Sequence, residues 1–157
     1  MRVEDVEGMV QVFDAVVSAY PGYVSFSELQ EGVALDLTTL SPARTDMWRE
    51  LITELYEGYP EGQFVAADTM TGAIVGFQIV ERIISPRASY GMLHDMCVLP
   101  AYRGAGVGAT LFQSAIDQLR RDGIKRIFFE SGIGNTSFHA WAKRRGFQPI
   151  SIVFMAE

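Results

Sequence analysis

Eight residues, Arg103-Gly104-Ala105-Gly106-Val107-Gly108-Ala109-Thr110, constrain this chain more than any others. Before them, Tyr90 to Leu99 reads as a strand. After them, Leu111, Phe112, Ala115, Ile116 and Leu119 mark one face of a helix that Gly123 stops. Ile124 to Glu130 then reads as the next strand, so the glycine turn is the elbow of a βαβ unit. Such an elbow is an anion site on physical grounds. Glycine lets backbone approach a ligand closely, the first N–H groups of a helix have no intrahelical partner, and the helix dipole adds positive potential. A phosphate or pyrophosphate is the natural guest, and Arg103 offers it a charge-assisted hydrogen bond. The plainer alternative is a tight connection that needs only small residues.

The rest of the pattern places this unit in one mixed α/β domain spanning residues 1–157. Residues 1–60 read as helical. Val6, Met9, Val10, Phe13, Val16, Val17 and Tyr20 line one helix face, ended by Pro21-Gly22. A short helix from Ser25 or Ser27 to about Leu35 follows. Ser41-Pro42 is expected to cap a third, with Trp48, Leu51, Ile52, Leu55 and Tyr56 as its stripe. The period then shortens to two. Gln63 to Asp68 and Ala73 to Ile84 make a hairpin around Thr69 to Gly72. Beyond the βαβ unit, Asn135 caps a helix that Gly146 ends, and Pro149 to Met155 is expected as a last strand.

Composition narrows the function classes. Thirteen Lys+Arg against nineteen Asp+Glu leave a net charge of −6, which disfavours nucleic acid as a partner. The apolar runs fall short of a membrane span, and the acidic start lacks an apolar signal core, so a cytoplasmic protein is expected. Cys97 is the single cysteine and excludes an internal disulfide. Two histidines and one cysteine, far apart, give no metal-ligand spacing.

Among phosphate ligands, a nucleoside-triphosphate loop is excluded because no Gly-Lys-Ser/Thr follows the turn. The dinucleotide fingerprint is closer. Gly104-x-Gly106-x-x-Ala109 fits it, and Glu130 stands where a ribose-binding acid belongs. Against it, Pro100 to Arg103 separates strand from glycine, and fewer than thirty residues remain after Glu130. The third reading fits best. Val98-Leu99-Pro100-Ala101-Tyr102-Arg103-Gly104-Ala105-Gly106-Val107-Gly108 resembles the signature of the GCN5-related N-acetyltransferase (GNAT) superfamily, with Arg103-x-x-Gly106-x-Gly108 as its core. Gly72 to Phe77 resembles the family's hairpin, and Asn135 through Gly146-Phe147 its Asn…Gly-Phe helix. The resemblance covers about residues 63–155.

That resemblance implies a central twisted mixed sheet flanked by helices, with acetyl-CoA in a cleft where two parallel strands splay. Residues 63–155 would form the acetyl-CoA core and residues 1–60 the acceptor side. The pyrophosphate would rest on backbone N–H groups of Arg103, Gly104, Ala105, Gly106, Val107, Gly108 and Ala109. The pantetheine arm would run beside Met96, Cys97 and Val98, flanked by Asn135 and Phe138. The implied reaction is direct acetyl transfer to a primary amine of a small molecule or peptide in a ternary complex, with no metal. A backbone N–H near Cys97 or Val98 would stabilise the thioester oxygen.

His94 is the expected base, on the face of Met92 and Met96 by strand alternation, with Asp95 opposite. Glu81 is second, and Cys97 reads as a small buried strand residue. Two departures stand out. Many members carry a tyrosine general acid five residues before the Phe of Gly-Phe, where this chain has Ala142. His139 or Ser137 could substitute, although packing or capping explains them as well, and Trp141 reads as core or cleft wall. The family's first strand is missing or very short here, which leaves a hairpin edge open and suggests a homodimer. Tyr20, Tyr23, Phe26, Trp48, Tyr56 and Tyr59 either line an amine site or fill helix faces, and Glu28, Glu31 and Asp36 either attract a cation or are solvated. The rival to an enzyme is a catalytically weak acyl-CoA-binding module acting through partner proteins, which Ala142 keeps open.

Overall fold

The computed structural model describes residues 1–156. It contains helices α1 (Val6–Ala19), α2 (Phe26–Gln30), α3 (Arg44–Gly58), α4 (Val107–Arg121) and α5 (Thr136–Lys143). Its strands are β1 (Gln63–Ala67), β2 (Ile74–Ile84), β3 (Ser89–Val98) and β4 (Arg126–Phe129). They form one sheet in the order β1-β2-β3-β4. The first two pairings are antiparallel and β3–β4 is parallel, as a helical crossover requires. The expected mixed α/β class is the observed one.

The sheet carries a separate core on each face. On one, α1 and α3 bury Met9, Phe13, Val16, Trp48 and Ile52 against Phe77, Ile79 and Cys97. Trp48 stacks on Phe13 with ring centroids 4.4 Å apart and tilts against Phe77. On the other, the apolar stripe of α4 covers Val80 and Leu93. There Phe112 is ringed edge-on by Phe129, Phe138, Trp141 and Phe147. Both stripes were legible as helical periodicity because each helix buries one face only.

Four expectations need correction. The last strand does not form: among residues 149–155 no ladder is made, and Ile150, Ile152 and Phe154 are exposed. Helix α2 ends at Gln30 rather than near Leu35, because Gly32 adopts a left-handed backbone and Ala34 bridges to Leu40. Ser41 does not cap α3. Its hydroxyl accepts the Ala43 N–H in a turn that precedes Arg44. The fourth correction lies inside β3. Val80 pairs with Leu93 but Gln78 with Met96, so Ile79 stands opposite both His94 and Asp95. One extra residue in β3 makes a β-bulge, and strict alternation fails there.

No strand precedes α1 among the described residues. The amino terminus instead donates to the Gln63 carbonyl at the start of β1. No described helix is long and apolar enough to cross a membrane.

The packing of β3 against α4 tolerates no side chain at Gly91. A Cβ there would overlap the fully buried Leu119, which has no room to turn aside. Gly91→Ala is expected to cost about 1–3 kcal/mol. That corresponds to a fall in thermal midpoint of roughly 2–4 °C per kcal/mol. An unchanged midpoint in a thermal melt would refute the close contact.

Candidate active site

The glycine turn is built as an anion cradle. Gly104 and Gly106 take positive φ, +82° and +87°, and Gly106 occupies the N-cap of α4. Only glycine accepts this without strain. The first helical bond runs from Thr110 N–H to the Gly106 carbonyl, so the six N–H groups from Gly104 to Ala109 donate to no backbone carbonyl. They lie at the positive end of a 15-residue helix. Arg103 differs from expectation in one respect. Its N–H donates to the Pro100 carbonyl, its Nε to the Val98 carbonyl at 2.9 Å, and its guanidinium lies over the Tyr20 ring. Arg103 thus braces the turn against α1, while its terminal nitrogens remain uncommitted to any carboxylate.

Beside the turn, the sheet opens. Parallel pairing of β3 with β4 stops at Leu93 and Phe129. The rest of β3, His94 to Val98, is paired only with β2. A bulge bends its strand and increases the local twist, and this one begins where the parallel partner is lost. Leu99 N–H donates to Val75 O. By the alternation of an antiparallel ladder, Cys97 therefore bonds to β2, while Met96 and Val98 turn their N–H groups into the opening. The expected backbone donor is thus Val98 or Met96, not Cys97.

The bulge also resets the side chains. Met96 belongs to the α4 core and Cys97 to the α1–α3 core. His94 and Asp95 between them share the α1–α3 face. The expectation that Met96 shares the face of His94, and that Asp95 opposes it, is overturned by the extra residue. The His94 Nε2 lies 3.1 Å from Glu81 Oε2, with the two side chains 25% and 44% exposed. Asp95 accepts the indole N–H of Trp48 at 3.2 Å. Burial, then the charges of Glu28 and Glu31, push its carboxyl up to about 7. Glu31 is raised by burial and by Glu28 and Glu130, and lowered by His94. Glu130 in turn accepts the Ser27 N–H at 2.9 Å. Glu81 thus contacts the imidazole, Glu31 is near enough to feel its charge, and Glu28, Asp95 and Glu130 lie around Glu31.

Other candidates fall in or out of this site. Asn135 holds the N-cap position of α5 but its side chain makes no capping bond, which leaves the amide free. Phe138 stacks on Trp141 and packs edge-on to Phe112, half-buried. The Cys97 thiol is buried and pushed well up, first by burial and then by the Asp95 charge, so it is no nucleophile. Ala142 is buried in the α5 packing. His139 bonds Ser131, and Ser137 is exposed. Asp36 anchors its own loop, accepting bonds from Thr38 and Thr39 that pull it down to about 2. Trp48 and Tyr59 are core residues. A surface recess of about 520 Å³ lies at the other end of β3, lined by Arg87, Ser89, Lys125 and Arg126. No cluster of three metal-ligating side chains occurs among the described residues.

The sequence reading missed Glu130 as part of the acidic end and Gln78 beneath it. Gly132 was a usable signal. A Cβ there would meet the backbone of Tyr23 and Val24, so the loop after β4 is pressed against the start of α2. That contact brings Glu130 to Ser27.

Comparison with known proteins assigns the fold. Residues 29–147 match the model of the family described as Acetyltransferase (GNAT) family. N-alpha-acetyltransferase 30 of Schizosaccharomyces pombe is 31% identical over 91 residues, covering 57% of this chain and 59% of that protein. Mycothiol acetyltransferase of Rothia mucilaginosa is 28% identical over 94% of this chain and 39% of its own length. The chain thus spans less than two thirds of either relative. The crystal structure of the NatC complex bound to Gag peptide and CoA is similar with a TM-score of 0.63 and 19% identity, covering 81% of this chain and 79% of that one.

The raised Asp95 carboxyl has a stability consequence. An unfolded aspartate ionises near ~3.9. Between that pH and about 7 the folded state holds a proton that the unfolded state has released. Asp95 therefore contributes most below about pH 4, and the contribution fades as pH rises to 7. Relative to Asp95→Asn, the native protein is expected to lose stability between pH 4 and pH 7.5 in urea unfolding. An identical difference at both pH values would refute it.

Proposed function

The chain belongs to the GNAT acetyltransferase family, and from that membership we propose that it transfers an acetyl group from acetyl-CoA to a cationic primary amine of a small molecule or peptide. One observation carries the reading: β3 loses its parallel partner at Leu93, and the strand that runs on carries His94 beside Glu81 and leads into six backbone N–H groups that donate to no carbonyl. A diphosphate suits those N–H groups, and an ammonium suits the acidic surroundings of His94. The names of the two relatives span both acceptor sizes.

The residues present fit the cosubstrate. Gly104 to Ala109 would hold the pyrophosphate, and the free N–H groups of Met96 and Val98, with the Asn135 amide, would hold the arm. When bound, acetyl-CoA supplies the activated thioester. Val98 N–H polarises the carbonyl oxygen. Glu31 attracts the ammonium, with Glu130 behind it, and His94 takes its proton, oriented by Glu81. No residue of α5 is assigned as general acid, because Ala142 offers no polar group and His139 is engaged by Ser131. A thiol with a pKa of ~8.5 leaves adequately as thiolate. The rival, an acyl-CoA-binding module without turnover, draws on the same Ala142.

Three outcomes test the reading. Acetyl-CoA at 100 times its Kd adds ~2.7 kcal/mol of stability, so the thermal midpoint should rise by about 5–10 °C, with no rise for NADH. A rise with NADH alone would move the chain to the dinucleotide class. On an amine panel, His94→Ala should lower turnover by about 10²–10⁴ with the acetyl-CoA Kd little changed. Binding without turnover on any amine would favour the rival.

A further inference from the structure

Gln78 has no place in the chemistry proposed above, yet it is the most constrained polar side chain near it. It lies on β2, 1% exposed. Its Nε2 donates to the Ile79 carbonyl at 2.9 Å and lies 3.3 and 3.4 Å from the carbonyl oxygens of Asp95 and His94. Its Oε1 has no partner at all. Exchanging the two ends of the amide would set that oxygen against three carbonyl oxygens, so the neighbours dictate the orientation. A buried amide that leaves its own oxygen bare is costly. An apolar side chain of the same length would avoid the cost.

What the amide achieves is local. Two of the carbonyls it reaches belong to His94 and Asp95, the residues that share Ile79 as a ladder partner. A bulge leaves such groups without a regular partner, and Gln78 supplies one from behind. We infer that Gln78 is a positioning residue for acyl transfer: it pins the β3 bulge that sets His94 and Asp95 side by side on the acceptor face. This rests on the acetyl-transfer reading for its effect on rate and on the bulge alone for its effect on structure. Without the pin, regular alternation would send Asp95 toward the α4 core, away from Trp48 and away from Glu28 on α2 and Glu31 just after it. The glycine turn, set on α4, would keep its own N–H groups, while Val98 and its bond to Arg103 lie beyond the bulge.

Gln78→Met tests this, since it keeps the length and removes the donor. Wild-type turnover on the amine panel is measured first. In folded Gln78→Met, kcat should fall about 10–100-fold, the scale of a 1 Å misplacement. The acetyl-CoA Kd should rise, because the Met96 and Val98 N–H groups follow the bulge, but binding should persist through the glycine cradle on α4. A lowered melting temperature with kcat within twofold of wild type would overturn the proposal and leave Gln78 as packing. A second readout needs no activity. The Trp48 indole N–H is bonded to Asp95, and its solvent exchange, followed by NMR, should accelerate in Gln78→Met. Unchanged exchange would overturn the structural half. If wild type binds acetyl-CoA but transfers to no amine, the acetyl-transfer reading fails while the indole exchange still judges the pin. If Gln78→Met does not fold, the side-chain amide protons of wild-type Gln78 decide: slow exchange supports the pin, and fast exchange overturns it.

Discussion

Parallel pairing between β3 and β4 ends at Leu93 and Phe129, and what the site can do depends on where that pairing stops. A fully zipped sheet would spend the Met96 and Val98 N–H groups on a neighbouring strand. Here the neighbour departs, and the loop after β4 is pressed against the backbone at Tyr23 and Val24. The free edge of β3 therefore faces a gap floored by the turn into α4. Buried backbone donors are rarely left unpaired, so a strand edge opened inside a sheet asks for an extended guest. The glycine turn beside it asks for an anionic one. One molecule that is both is a pantetheine diphosphate.

The gap is electrically polarised along its length. At the α4 end, oriented peptide dipoles and Arg103 make it positive without a metal. At the other end, His94 contacts Glu81 and feels the charge of Glu31, whose own neighbours include Glu28 and Glu130. Burial first, and neighbouring carboxylates after it, push up the carboxyls of Glu31 and Asp95. A cation bound among them would offset the second effect. The net charge of −6 hinted at such a partner only weakly, because whole-chain charge says little about a pocket.

Much of this was legible in the residues. The helix stripes, the hairpin and the elbow each carry a local signature of period, turn chemistry or glycine spacing, and each was placed correctly within a few residues. The failures share a cause. A bulge of one residue at His94–Asp95 leaves no mark in composition or hydropathy, yet it reverses the face of every residue after it relative to those before. That is why Asp95 and Met96 were assigned to the wrong sides. The carboxylate cluster depends on a contact between residues about a hundred apart in sequence, Ser27 and Glu130. No local pattern encodes that. The missing last strand fails differently. Pro149 to Met155 has strand composition, but propensity alone forms no ladder without a paired edge.

The two cores give the site its division of labour. The α1–α3 core holds the bulge through Trp48, whose indole grips Asp95 while its ring stacks on Phe13. The α4–α5 core holds the glycine turn through Leu119, Phe112 and the helix that presents it. Strands β1, β2 and β3 contribute to both. The bulge is the one feature that neither core fixes alone. It lies at the seam, where the faces exchange residues, and Gln78 reaches it from the α4 side while Trp48 reaches it from the other. A transferase that changes acceptors while keeping its donor needs such a seam to stay in register.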